Sequence, residues 1–428
     1  MLIELGLEEK LITITGDNAS NNISMVNALH LSLEERLGVG RPRLCGTDSY
    51  IRCLAHIINL VVQDILSSLK SITSEEADSM CESIQRQEME VTPDKSVLER
   101  LSIFAVWVSR SNQHRTRWKE MCRFRGLDDK FIQRDVKTRW NSCYRMVKDA
   151  LEAREQIDRF IGLEHQLPPF SLRDWERLQQ IAILLEPFDD ATLFLSRRRP
   201  QMSLIVPVYY KLHDLFENSI NRQGIFSRLD RDMVQAARSG LEKFRKYYRR
   251  MDANDTYYAA LILDPRVKGE LLKKSLSDEV AARDIYENTR ELLHTIYGGF
   301  SVMGNAAPPR KEEETYDDML LNDIEGDMLR EVESDAELPS SDIDRYFDGK
   351  QVSVPAPRHD NWLFDWWRAH KTESPYMATA ARDFLAIPGT EVSVERVFSE
   401  ARGVLQDNRH SLKGNTIRAL MLSRDMYK

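Results

Sequence analysis

The hydrophobic and polar positions of the chain change period several times, and each change marks an element. Residues 10–17 alternate and are rich in β-branched side chains, the period of a strand, and they end in a turn at Gly16-Asp17. A helical run follows over 23–37. Residues 50–54 read as a second short strand. Residues 55–69 then carry Ile57, Ile58, Leu60, Val61, Val62, Ile65 and Leu66, the pattern of a very apolar helix. Residues 73–97 are polar and charged, and read as a flexible connection. From Leu98 the pattern turns helical, and 141–297 stays mostly so. The stripe Trp175, Leu178, Ile181, Leu184 and Leu185 is interrupted at Pro187-Phe188. Residues 298–357 hold small residues, prolines and acids with few large aliphatics. Such a stretch cannot bury enough to offset ordering, which predicts a disordered linker. Structure resumes with Trp362, Trp366 and Trp367 on a short amphipathic helix. Proline and glycine at 388–389 stop one helix, and Thr390 or Ser393 can cap the next. That next helix has its apolar stripe at Val394, Val397, Phe398, Ala401, Val404 and Leu405, and a last helix from Thr416 buries Ile417, Leu420 and Met421. The sum is an α/β fold with a large all-α insertion, mostly helical overall.

At 428 residues the chain is too long for one ordinary domain. No apolar run approaches the roughly 20 residues of a membrane span, and the first residues lack a basic segment followed by an apolar core. Five scattered cysteines read as reduced intracellular thiols. The net charge of −8 sits badly with a DNA partner until its distribution is seen. Residues 311–350 hold 15 acidic and 4 basic side chains, so the rest of the chain is net +3. The body is mildly basic.

Several side chains invite a chemical reading. Asp17 ends a strand, where α/β sites sit, or it simply caps the following helix. Glu395 and Arg396 lie off their helix's apolar stripe, as solvated charges or as a carboxylate held rigidly with its head free. Cys53 and His56 form a C-x-x-H pair. Two ligands do not make a zinc site, so a buried polar pair ordering the strand-to-helix junction is the expectation. Residues 109–119 are basic with an aromatic inside, and Arg115 and Arg117 can lie along a phosphate backbone or on a solvated helix face. Trp140 offers a stacking face and Arg139 a phosphate fork, or the pair is a core Trp capped by Arg.

Spaced elements then combine into a resemblance. Residues 381–388, the run Ser393, Glu395, Arg396, Phe398, Ser399, and the later Arg409, His410, Ser411, Leu412 resemble the C-terminal dimerisation region of hAT-superfamily DNA transposases. Residues 16–22, the C-x-A-H-x-x-N-L element at 53–60, the T-R-W-N-S element at 138–142 and the A-x-x-L-D-P-R element at 260–266 are similar to further hAT segments. The resemblance implies a partial RNase H-like fold interrupted by a helical domain. It implies that Asp17 and Glu395 are the second and third acids of a DDE triad holding Mg²⁺. It puts Arg139 and Trp140 beside that site, with the Trp stacking on DNA. It makes the protein its own partner through Trp362, Trp366, Trp367, Val397, Phe398 and Leu420, in the nucleus, with DNA as a second partner and neither a membrane nor a small-molecule substrate.

The expected domains are 1–70 as partial RNase H-like core, 71–297 as helical insertion, 298–357 as acidic linker and 358–428 as the dimerisation region completing the core. The family's first catalytic Asp and its BED-type zinc finger find no room before Asp17. Two acids of three predict weak metal affinity and no strand transfer. The competing expectation is an active Mg²⁺-dependent transposase whose missing acid lies upstream or is an unrecognised residue such as Asp48. A third is a non-catalytic DNA-binding regulator using Arg139, Trp140 and the basic helix.

Overall fold

The computed structural model describes residues 2–136, 140–164, 166–196, 202–276, 278–298, 341–353 and 361–391. Arg139, Glu395, Val397, Phe398, Leu420 and the expected helices from 394 and 416 lie outside the described residues.

In chain order the elements are α1 (Leu2–Leu5), β1 (Ile14–Gly16), α2 (Ser20–Leu37), β2 (Tyr50–Arg52), α3 (Leu54–Ser68), α4 (Ser74–Gln85), α5 (Val97–Arg110), α6 (Asn112–Arg125) and α7 (Trp140–Glu152). Then come α8 (Arg154–Leu163), α9 (Leu172–Leu195), α10 (Met202–Ile220), α11 (Arg231–Asp252), α12 (Asp255–Ile262), α13 (Glu270–Ser275), α14 (Glu279–Tyr297), α15 (Asp342–Asp348), α16 (Trp362–Ala369) and α17 (Pro375–Leu385). They form two compact units, 1–257 with 387–428, and 258–386. The division does not follow the boundaries expected at 297/298 and 357/358: residues 258–297 cluster with 342–385.

In the first unit β1 and β2 are the strands among the described residues. They pair in parallel, Ile14 with Tyr50 and Gly16 with Arg52, which requires the crossover that α2 supplies. The core lies behind them, where α3 packs along α11. Helix α3 buries Leu54, Ile57, Ile58, Val61, Val62, Ile65 and Leu66, and α11 answers with Met233, Ala236, Ala237, Leu241, Phe244, Tyr247 and Met251. Gly240 sets their distance: a Cβ there would stand 2.7 Å from Ile65 Cγ1 and 3.1 Å from Phe216.

Two expectations about this unit are corrected. Residues 74–85 are a helix with a reciprocal cap, Thr73 accepting from the Glu76 N–H and Glu76 from the Thr73 N–H. Ala77, Cys81 and Ile84 make its buried stripe, narrow enough to be masked by the polar composition around it. Pro187 does not interrupt α9, which runs through it with Phe188 buried. The helix is held there by packing, which overrides the local cost of proline.

The second unit gathers α12 from Tyr258 onward and α13–α17 around Leu263, Tyr346, Phe347, Trp367 and Phe384. Part of the expected disordered linker belongs to this core. In α15, Ser341 caps the helix by accepting from the Asp344 N–H, and Ile343, Tyr346 and Phe347 are buried. The Tyr346 hydroxyl donates to the Ile262 carbonyl at 2.7 Å, and Lys268 Nζ donates to the carbonyls of Tyr346 and Gly349 at 2.6 and 2.8 Å. An apolar face at helical spacing inside an acidic run escapes any compositional reading. The Asp of the L-D-P-R element, Asp264, is fully buried and pairs with Arg266, whose guanidinium lies 5.1 Å from the Trp362 ring centre.

Candidate functional site

The site is built at the C-terminal ends of the paired strands. Asp17 directly follows β1, and its Oδ1 accepts from the Ala19 N–H at 2.8 Å and from Asn22 Nδ2 at 2.7 Å. One carboxylate oxygen thus turns the chain into α2, while Oδ2 takes no hydrogen bond among the described residues. Asn22 also donates to the Tyr50 hydroxyl, which donates to the Asp17 carbonyl at 2.5 Å. Burial pushes the Tyr50 phenol up, and the charges of Asp17 and Glu391 add to it. Arg52 ends β2. It donates to Asn18 Oδ1 at 3.0 Å and lies 5.7 Å from the Tyr50 ring centre.

The far end of the sequence returns to this place. Thr15 Oγ1 donates to the Pro388 carbonyl at 2.7 Å, the Leu54 N–H donates to the Gly389 carbonyl at 3.3 Å, and the Glu391 N–H donates to Cys53 Sγ at 3.3 Å. Residues 388–391 therefore lie along β1 and the start of α3. Among the side chains that complete the site, Tyr50, Arg52, Asn18, Asn22 and Glu391 were not singled out as candidates from the sequence. Tyr50 and Arg52 carry one signal, a same-face pair on a short strand.

Cys53 is buried at the β2–α3 junction, as expected, and it receives the Glu391 N–H rather than pairing with His56, which is half-exposed. Asp48 does not join Asp17. It precedes β2, so in a parallel pair it lies at the opposite end of the strands. Among the described residues, no three His, Cys, Asp or Glu side chains converge on a common point. For a hard cation such as Mg²⁺, Asp17 Oδ2 is a suited oxygen; the second expected acid, Glu395, lies outside the described residues.

Trp140 differs from its expected role. It is 3 % exposed and tilted against Tyr144, so its face is not open to a base. Its backbone N–H donates to Asn59 Oδ1 at 3.3 Å, Asn141 donates to Asp189 at 2.7 Å, and the Ser142 hydroxyl donates to Asp135 at 2.5 Å. Trp140, Asn141 and Ser142 of the T-R-W-N-S element start α7, tied through Trp140 to the Asn of the C-x-A-H-x-x-N-L element. Arg115 and Arg117 are exposed on α6, but Arg115 Nε donates to the Ser109 carbonyl and Arg117 to Glu164, both at 2.7 Å. Lys119, Arg123 and Arg125 complete a basic helix.

Trp367 is a core residue, its Nε1 donating to the Leu263 carbonyl at 2.9 Å. Trp362 and Trp366 remain half-exposed, and Trp366 stacks on His370 with ring centres 3.9 Å apart. No helix of the described residues is long and apolar enough to cross a membrane.

The chain is similar to hAT-family transposase-like proteins in two matched regions. Residues 342–427 match the hAT family C-terminal dimerisation region, and residues 51–184 match the ZBED1 RNase-like helical domain. The dimerisation match starts at α15, ahead of the boundary expected at 358. The chain is 25 % identical to the zinc finger BED domain-containing protein RICESLEEPER 3 of Oryza sativa subsp. japonica, over 99 % of this chain and 53 % of that protein. A Zea mays protein named for the AC transposase is 24 % identical over 99 % of this chain and 49 % of its own length. The human zinc finger BED domain-containing protein 4 is 20 % identical over 86 % of this chain and 28 % of its own. The chain spans about half the length of the first two.

Proposed function

We propose that this chain is the DNA-binding, self-associating body of a hAT-type transposase-derived protein, working in the nucleus. Its own residues supply Asp17 and Glu395 as two acids of an RNase H-like metal site. The observation that carries this is the seating of residues 388–391 against Thr15, Cys53 and Leu54. It pins the chain four residues before Glu395, a reach of at most about 14 Å, next to the strand end that bears Asp17. Mg²⁺, when bound, would polarise a phosphodiester and an attacking water. The roles of the chain itself are to present carboxylate oxygens and to hold DNA through the basic helix α6 and the strand ends. Binding DNA through these elements needs none of the acids, whereas cleavage would need the full set of carboxylates around the metal. In a longer protein that brings a further acid, the same arrangement would serve an active transposase.

The test is fluorescence anisotropy of labelled duplex DNA with the full chain, beside sedimentation velocity. Salt-sensitive binding by a dimer or larger species is the expected result. A monomer indifferent to DNA contradicts the proposal.

A further inference from the structure

Arg52 is the side chain in the strand-end site whose chemistry is unspent. Register places it opposite Gly16, so it stands beside Asp17 at the C-terminal ends of two parallel strands, where ligands of such sheets bind. It is half-buried, and the Tyr50 ring and the Asn18 side chain fix its direction. Of its five side-chain N–H donors, one meets a protein acceptor among the described residues, and that acceptor is a neutral amide. Asp17, one residue from Asn18, directs its Oδ1 to Ala19 and Asn22 and makes no ion pair with Arg52 among the described residues.

A second cation stands close by. Arg250, exposed at the end of α11, lies 5.8 Å from the ring centre of Tyr247. The same end of the unit supplies Tyr257, whose hydroxyl accepts the Arg52 backbone N–H at 3.2 Å. Burial holds the Arg52 guanidinium below its ordinary range, and the charge of Arg250 lowers it further. Neither guanidinium is paired with a carboxylate among the described residues, and an anion between them would relieve the repulsion of their like charges. The planar fork of Arg matches the oxygens of a phosphate.

We propose that Arg52, with Arg250 beside it, is a phosphate subsite that seats the DNA backbone at the strand end bearing Asp17. It rests on the DNA-binding reading above and names where the strand enters. Arg52 is a binding residue there, positioned by Asn18 and Tyr50. Arg250 reaches the same strand from the solvent side.

The experiment is fluorescence anisotropy of the full chain on fluorescein-labelled DNA across a salt series, for wild type, R52A and R250A, with circular dichroism of each. Each substitution is expected to weaken binding about 5- to 10-fold and to reduce the slope of log affinity against log salt by about one. DNA carrying neutral methylphosphonate linkages should bind wild type weakly and erase the difference between wild type and variants. Folded variants that bind with wild-type affinity and slope overturn the subsite while leaving the DNA-binding reading intact. A wild-type chain that binds no DNA overturns both. Should R52A fail to fold, R250A decides alone, because its side chain is exposed.

Discussion

The backbone N–H of Glu391 donates to the sulfur of Cys53 across 338 positions of sequence, at 3.3 Å. The bond closes the site. It ties the segment leading to Glu395 to the first turn after β2. Replacing Cys53 by Ala removes the acceptor, leaves that N–H without its partner and opens a small void. A loss of about 1–3 kcal/mol is expected in urea unfolding. DNA affinity should fall with it, since the strand end loses its neighbour.

Gly240 to Ala tests the α3–α11 contact that holds the strands from behind. The new Cβ overlaps Ile65 and crowds Phe216, both fully buried, and destabilisation of about 1–3 kcal/mol should follow. Ile65 to Val in the same molecule should restore part of it. The coupling is read from a double-mutant cycle of denaturant midpoints.

The second unit has a pH signature. Burial pushes the Lys268 ammonium down to about 8, against about 10.4 for an unfolded lysine. Between these values the unfolded chain binds more protons than the folded one. Stability therefore rises with pH from about 8 towards 10. Above 10 the buried phenol of Tyr346, pushed well above its ordinary range, reverses the trend. The Lys268→Met variant should lose the rise between pH 8 and 10, measured as melting temperature against pH.

Trp367 separates core from interface. Trp367→Phe keeps the ring in place and leaves the Leu263 carbonyl without its donor, a loss of about 1–2 kcal/mol in unfolding. Sedimentation should show an unchanged oligomer. Trp366→Ala, on the half-exposed side, should weaken self-association with little effect on stability.

The sequence is legible where one local period governs. The stripe of α3 is read directly, and so is Asp17 at a strand end, although of the strand expected over 10–17 only Ile14–Gly16 pairs. Helices α4 and α15 are not, because each buries only three or four side chains amid charges that set the composition. The seating of Pro388, Gly389 and Glu391 against Thr15, Leu54 and Cys53 depends on tertiary placement, which no local pattern records. From its own residues Trp140 reads first as core, the resemblance makes it a platform, and the choice is made by its neighbours Tyr144 and Asn59. The pairing of Arg52 with Asn18 depends on strand register, which places the two side by side only after folding.

The most direct measurement for the proposed convergence of Asp17 and Glu395 is an electron paramagnetic resonance titration of Mn²⁺ into the full chain, with Asp17→Asn and Glu395→Gln beside it. Asn retains the Oδ1 acceptor of the turn into α2, so the first substitution removes charge alone. The account predicts a weak Mn²⁺ site in the wild type that either substitution abolishes. Mn²⁺ binding untouched by both would contradict it.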